Sequence, residues 1–187
     1  MKAEKTAFQK AMIIEPDAFR DKRGYFMETY HKEKYEQLGL TTQFVQDNLS
    51  YSVRDTLRGL HYQHPRGQAK LVQVIKGEIF DVIVDIRRGS PTFGQWTGIS
   101  LSDENNRQLY VPEGFAHGFC VLSDTAVVYY KCSDFYAPEN EGGILWSDPD
   151  LNISWPLKDP VISEKDSRYP VLEDLPVERL PAYEEKP

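Results

Sequence analysis

From Phe44 to Tyr136 the chain keeps returning to short runs rich in Val, Ile, Phe and Tyr: FVQDNLSYSV, LVQVI, IFDVIVDI, WTGISL, RQLYVP, GFCVL and AVVYYKCSDFY. Gly, Pro, Asn, Asp and Ser separate them. β-branched and aromatic side chains favour a pleated, half-buried surface, and runs this short and this closely punctuated leave no room for long helices. The spacing predicts a mainly β fold, either a sandwich or a barrel. In IFDVIVDI, Phe80, Val82, Val84 and Ile86 are apolar on one face, whereas Ile79, Asp81, Ile83 and Asp85 alternate in polarity on the other. A strand buried on one face and half-buried on the other suits a barrel wall.

The flanking segments are less regular. Ala11-Met12-Ile13-Ile14, stopped by Pro16, predicts an arm or edge strand at the end of residues 1–14, able to pair with the sheet edge of a partner. In FRDKRGYFMETY, Arg23-Gly24 reads as a turn, and Tyr25, Met27 and Thr29 then alternate with Phe26, Glu28 and Tyr30. His31 to Leu38, HKEKYEQL, predicts a short polar surface helix ended by Gly39. Beyond Trp146 the chain becomes loop-like, and the acidic, proline-containing residues 171–187 predict a tail along the surface. The 187 residues suffice for one core and contain no repeat, so the expectation is a single domain over 1–187.

Charge narrows the function. A formal net charge of -7 argues against a generic binder of nucleic acid or anionic membrane, so any anionic ligand must meet a local basic pocket. No apolar run approaches the ~20 residues needed to span a bilayer, and the N-terminus has no apolar signal core, which predicts a cytoplasmic protein. Cys120 and Cys132 lie in apolar, strand-like surroundings and read as buried free thiols, too few for a disulfide scaffold or a zinc site.

The densest chemistry lies between Gly59 and Gly77, GLHYQHPRGQAKLVQVIKG, where two histidines, an arginine and two lysines surround the run Leu71 to Ile75. Its spacing, with VPEGFAHGF further on, resembles the paired signatures of cupin-type barrels. The second signature, P-x-G-x2-H, is met by Pro112, Gly114 and His117. The first has the form G-x5-H-x-H-x3-4-E-x6-G and supplies a metal-binding carboxylate. Counting back seven residues from Gly77 reaches Lys70 instead, an ammonium that would repel a metal ion. Only His61 and His117 stay at ligand-like places, with His64 outside the pattern, so the expectation is a barrel without metal or other cofactor. A pocket of His, Lys, Arg and Tyr suits removal of a proton next to a carbonyl. That reaction needs a base with a pKa near ~7, a cation or donor for the enolate oxygen, and an acid.

FRDKRGYFMETY, FVQDN, RGLHYQ, VPEGFAHGF, YYKCSDFYAPENEGGILWSDP and SEKD occur in this order along nearly the whole chain. Together they resemble the dTDP-4-dehydrorhamnose 3,5-epimerase family. The resemblance implies a homodimeric cupin-type double-stranded β-helix, or jelly-roll barrel, with a few short surface helices. It also implies epimerisation of dTDP-4-dehydro-6-deoxy-D-glucose at carbons 3 and 5 to dTDP-4-dehydro-L-rhamnose, with no metal or nicotinamide. Carried over by motif, His61 would be the base, Asp166 in SEKD would orient it, Lys70 would stabilise the enolate oxygen and Tyr130 would return the proton. Tyr130 rather than Tyr129 is placed inside because Lys131 follows it as in the family. Arg58 and Arg23 would hold the diphosphate. Phe19, Glu28, Gln46 and Asn48 resemble base and nucleoside contacts, some of them crossing from a partner subunit. His117, Tyr136, Glu141 and Lys165 complete the substrate-binding candidates, Tyr136 being the aromatic chosen for stacking.

Plainer roles stand beside these. By residue type alone His61 fits a hydrogen-bonded core histidine, Lys70 a lysine snorkelling from a strand edge, and Asp166 an Asx-turn residue. His117 fits a buried relic of an ancestral metal site as well as a substrate contact, and His31 and His64 read as surface histidines. A single-carbon epimerase of the same family and a non-catalytic sugar-nucleotide-binding barrel are the competing functions. The second of these leaves the joint presence of His61, Lys70, Tyr130 and Asp166 without a purpose.

Overall fold

Alternating side chains commit most of the central chain to extended backbone. The computed structural model describes residues 1–8 and 10–184, and there the chain forms thirteen strands and one short α-helix. In order they are β1 Lys2–Lys5, β2 Met12–Glu15, β3 Ala18–Asp21, β4 Gly24–Met27, α1 Lys32–Gln37, β5 Gln46–Val53, β6 Leu57–Gln63 and β7 Lys70–Lys76. Then follow β8 Glu78–Asp85, β9 Trp96–Ser102, β10 Gln108–Val111, β11 Phe115–Val121, β12 Thr125–Cys132 and β13 Glu141–Gly143. A six-stranded sheet in the order β1-β2-β10-β7-β12-β5 faces a five-stranded sheet in the order β13-β6-β11-β8-β9, and both are antiparallel. The hairpin β3-β4 stands apart as a two-stranded ribbon.

The core between the sheets draws Val72 and Val74 from β7, Ile79 and Ile83 from β8, Phe119 from β11 and Val128 from β12. This is the mainly β fold that the strand pattern predicts, in the cupin-like form that the motif resemblance implies. Three expectations of exposure change. β8 is buried on both faces, because Val82, Val84 and Ile86 pack under Ile144, Leu151, Leu172 and Leu180. The segment expected as a surface tail therefore closes the back of the five-stranded sheet, with Leu172 and Leu180 both buried; residues 185–187 lie outside those described. The helix is also not wholly superficial. Tyr35 is buried against Ile14, Leu71 and Tyr110, and its hydroxyl donates to Gln108 Oε1 at 2.7 Å, so α1 caps the back of the six-stranded sheet.

The N-terminal run is placed differently from the predicted arm. Met12, Ile13 and Ile14 pair with β1 on one side and β10 on the other, so β2 has no free edge for a partner. Gln9 lies outside the described residues. β6 is a strand that the apolar pattern did not announce, since LRGLHYQ carries a glycine and three polar side chains. Gly59 explains how it fits. Its φ of +128° suits glycine, and a Cβ there would stand 2.5 Å from Gly118 Cα on β11. The two glycines let β6 and β11 approach closely where the register shifts between His117 and Phe119. Among the described residues no helix is long and apolar enough to cross a membrane.

Candidate active site

His61 projects from the middle of β6. Its Nε2 lies 2.8 Å from Asp166 Oδ1, at the start of a single 3-10 turn, Asp166–Arg168. Asp166 Oδ2 accepts the Gly59 N–H at 3.2 Å, so the close β6–β11 approach also orients the carboxylate. Burial alone would push Asp166 up, but hydrogen bonds from His61 and the Gly59 N–H, with the charge of the imidazole, hold its carboxyl below the usual aspartate value. An ionised carboxylate only accepts, which assigns the proton to Nε2 and leaves the lone pair on Nδ1. The Tyr169 ring meets the imidazole edge-on, with centroids 5.8 Å apart, and limits its rotation.

Two strands of the opposite sheet bring the other candidates. Lys70 opens β7 and is the register partner of Cys132 on β12; Tyr130 lies two residues earlier, opposite Asn48 on β5. Alternation puts Tyr130 and Cys132 on the inner face, while Tyr129 and Lys131 meet each other outside, their Oη and Nζ 3.3 Å apart. Asn48 Nδ2 donates to Cys132 Sγ at 3.5 Å. Burial pushes the Lys70 ammonium down from its ordinary value, and the neighbouring Cys132, Asp81 and Glu141 pull it back up. Burial pushes the Tyr130 phenol up, as do Cys132 and Glu141 against the pull of Arg58, so it stays protonated at neutral pH.

His61 lies at the junction of two cavities. One, of about 190 Å³, is lined by Gln46, Asn48, His61, Lys70, Tyr130, Tyr136 and Glu141, with Tyr62, Gln63 and Gln68. The other, of about 530 Å³, runs past His61 along Arg58, Lys165 and Asp166. The polar groups hold one another in place. Gln46 Oε1 accepts the Tyr136 N–H at 2.9 Å, Tyr136 Oη donates to Glu141 Oε2 at 2.7 Å, and Lys165 pairs with the same carboxylate. Burial alone would raise Glu141, but these two partners hold it below the usual glutamate value. Arg58 donates from Nε to Ser52 Oγ at 3.0 Å, which aims the guanidinium along β5.

Ten of the fourteen expected site residues thus line these two cavities: His61, Lys70, Tyr130, Asp166, Gln46, Asn48, Arg58, Tyr136, Glu141 and Lys165. Four do not. Phe19, Arg23 and Glu28 belong to the β3-β4 hairpin and the residue just after it. Phe19 is 64% exposed, Arg23 pairs with Asp21, and Glu28 pairs with Lys34 and lines a separate small cavity. His117 is buried, its Nε2 2.6 Å from Asp81 Oδ1, and lines neither cavity that His61 lines. Sequence reasoning passed over Asp81, Ser52 and Tyr169. Of these only Asp81 left a signal, as a carboxylate inside an otherwise apolar strand.

Where cupins place a metal-binding carboxylate stands Lys70, and His61 and His117 each already meet a carboxylate through Nε2. Among the described residues no three His, Cys, Asp or Glu side chains are grouped to hold a metal ion.

Comparison with known proteins agrees with this geometry. Residues 5–174 match the family model described as dTDP-4-dehydrorhamnose 3,5-epimerase. The chain belongs to that family. As a member of an epimerase family it is an isomerase. A dTDP-4-dehydrorhamnose 3,5-epimerase of Methanothermobacter thermautotrophicus is 54% identical over 176 residues, 92% of this chain and 95% of that protein. The crystal structure of a dTDP-6-deoxy-D-glucose-3,5-epimerase from Legionella pneumophila, in complex with dTDP-4-keto-L-rhamnose, superposes with a TM-score of 0.95 at 51% identity, covering 98% of each chain. A dTDP-4-dehydrorhamnose 3-epimerase of Streptomyces niveus is 44% identical over 155 residues, 82% of this chain and 75% of that protein.

Proposed function

We propose that the protein inverts carbons 3 and 5 of dTDP-4-dehydro-6-deoxy-D-glucose, giving dTDP-4-dehydro-L-rhamnose for deoxysugar biosynthesis. The observation that carries this reading is the His61–Asp166 pair opening onto a cavity shared with Lys70 and Tyr130. His61 Nδ1 takes the proton from the carbon next to the 4-ketone, and the electron pair moves onto the ketone oxygen as an enolate. Asp166 stabilises the imidazolium that forms. The Lys70 ammonium lies against the enolate oxygen. Tyr130 gives its phenolic proton to the opposite face of the same carbon, which inverts the centre and leaves a phenolate. Solvent then returns a proton to Tyr130 and removes one from His61, and the cycle repeats at the other carbon.

The diphosphate is held by Arg58 in the larger cavity, and Tyr136 stacks on the nucleobase beside Gln46 and Asn48. The hairpin residues Phe19, Arg23 and Glu28 fit this scheme as contributions to the cavity of a second copy. Supporting a homodimer, the hairpin exposes Phe19, Tyr25 and Phe26, and the edge strand β5 exposes Leu49, Tyr51 and Val53. The decisive experiment is proton NMR of the ketosugar nucleotide in heavy water with the purified protein. Deuterium entering both carbons with inversion of both is expected. Exchange and inversion at carbon 3 alone would establish the single-carbon reading that the 3-epimerase relative brings with it. No exchange at either carbon would leave only a binding barrel.

A further inference from the structure

β13 is three residues long, and two of them are glycines. Neither Gly142 nor Gly143 has a positive φ, so the backbone does not ask for glycine at either position. Space does. A Cβ on Gly142 would stand 2.5 Å from Tyr62 Cζ, and one on Gly143 would stand 2.3 Å from Tyr169 Cε2 and 2.4 Å from its Cδ2 and Cζ. The second contact bears on the base. Gly143 is the register partner of His61 across the β6–β13 pair, and directly opposed residues of an antiparallel pair share a face. The Tyr169 ring therefore occupies the place that a side chain opposite His61 would fill, and it meets the imidazole with centroids 5.8 Å apart and planes at 71°.

Asp166 and Tyr169 reach His61 from one short turn. Asp166 opens the 3-10 segment Asp166–Arg168, and Tyr169 is the residue that ends it. Ser163 holds the start of the turn, its Oγ accepting the Asp166 N–H and its carbonyl the Ser167 N–H, both at 3.0 Å. At the other end the Pro170 carbonyl accepts the Leu145 N–H at 2.8 Å, which ties Tyr169 to the segment leaving β13. Carboxylate and ring are thus fixed relative to each other, the first on Nε2 and the second beside the imidazole. The phenol adds no bond of its own. Among the described residues its buried Oη has no hydrogen-bond partner, and burial, with the nearby Glu141 carboxylate, pushes it up to about 12. What Tyr169 brings to His61 is the shape of a neutral ring, and it lines neither cavity that His61 lines.

We propose that Tyr169, seated over Gly143, is a positioning residue for the base: its ring wedges the imidazole of His61 at the angle that keeps Nε2 on Asp166 and leaves Nδ1 free to take the proton. The proposal rests on the epimerase reading given above. Without the ring, the imidazole gains room to turn about its Cβ–Cγ bond, and each turn away from Asp166 gives up the hydrogen bond that fixes the tautomer. A misplacement of about 1 Å in a reacting group costs up to ~10²-fold in rate.

Nitrogen-15 NMR of the imidazole side chains, with His61 assigned by its loss in His61→Asn, should show the neutral wild-type ring as a single tautomer protonated on Nε2. In Tyr169→Ala the two ring nitrogens should move toward each other in shift as the tautomers mix. In parallel kcat should fall about 10- to 100-fold while KM stays within about twofold, since the side chain lines neither cavity. Tyr169→Phe keeps the ring and should restore both the single tautomer and most of the kcat lost in Tyr169→Ala. Gly143→Ala should displace the ring and act in the same direction, and in the Tyr169→Ala background it should lower kcat by less than about threefold, because the added Cβ then meets no ring. A Tyr169 that only packs would lower Tm on truncation and leave the tautomer and kcat where they were. That result overturns the proposal, and so does a Tyr169→Phe as slow as Tyr169→Ala. A wild-type His61 with its proton on Nδ1 overturns it as well, whether or not the alanine variants fold. Because the NMR measurement uses no substrate, its failure is distinct from failure of the epimerase reading, which shows as wild-type protein that neither exchanges nor inverts the ketosugar.

Discussion

Asp166→Asn isolates the electrostatic part of the His61–Asp166 pair while keeping its shape. The carboxylate is almost fully buried and the imidazole side chain is 30% exposed, so an effective dielectric near ~20 is appropriate. At that value an imidazolium and a carboxylate with charge centres about 4 Å apart attract by ~4 kcal/mol. A neutral amide keeps a hydrogen bond worth ~1 kcal/mol, so about 3 kcal/mol of transition-state stabilisation is lost, roughly two decades in rate. A second effect adds to the first. With the amide oxygen still accepting the Gly59 N–H, the amide NH₂ faces His61 Nε2 and moves the ring proton to Nδ1, so the lone pair no longer faces substrate. The expected fall in kcat is therefore at least ~10²-fold, approaching ~10⁴-fold if the tautomer effect is complete. Single-turnover conversion of the ketosugar nucleotide, followed by proton NMR in heavy water, reads both exchange and inversion. Calorimetric binding of dTDP controls for folding. A folded variant with kcat within about threefold of wild type would refute both the charge argument and the tautomer argument.

Tyr130→Phe removes the acid and leaves the base, so deuterium should still enter the substrate while inversion slows by ~10²–10⁴-fold; inversion at the wild-type rate would show that another group delivers the proton. Arg58→Met removes a guanidinium held by Ser52 and should weaken dTDP binding about 10- to 100-fold by calorimetry, in keeping with ~1.5–3 kcal/mol for a charged hydrogen bond. Asp85→Ala tests stability rather than catalysis. Asp85 is fully buried and accepts from Arg87, Ser90 and Thr92, at 2.6 Å from each hydroxyl, so its loss should cost ~3–5 kcal/mol and lower Tm on the order of 10 °C. Burial alone would raise Asp85, but these hydrogen bonds hold it below the usual aspartate value. Its stabilisation is then complete above the unfolded-state pKa and disappears as pH falls through the folded-state value, so urea midpoints of variant and wild type should converge in acid.

The strands from β7 to β12 were legible because their alternation is imposed by burial: wherever a sheet separates a core from a cover, the sequence must repeat every second residue. β6 escaped because its residues answer to chemistry instead. Arg58, His61 and Gln63 serve the cavities and Gly59 serves the close contact with β11, which leaves too few apolar positions to form a pattern. Helix α1 was read as superficial because a single buried tyrosine, Tyr35, does not make a stripe, yet its hydroxyl ties the helix to Gln108 on β10. The site was legible to the extent that its residues lie within short motifs. RGLHYQ, the Tyr130-Lys131 pair and SEKD lie far apart in sequence, and the facing sheets and the 3-10 turn at Asp166 bring His61, Tyr130 and Asp166 round two adjoining cavities. The hairpin residues show the limit of this route. A motif groups Phe19, Arg23 and Glu28 with the other candidates, yet the folded chain brings none of the three to the cavities that His61 lines. Asp81 shows the opposite case. The polar beat in IFDVIVDI was visible from the start, and a buried carboxylate facing a core needs a partner whether or not any motif names one.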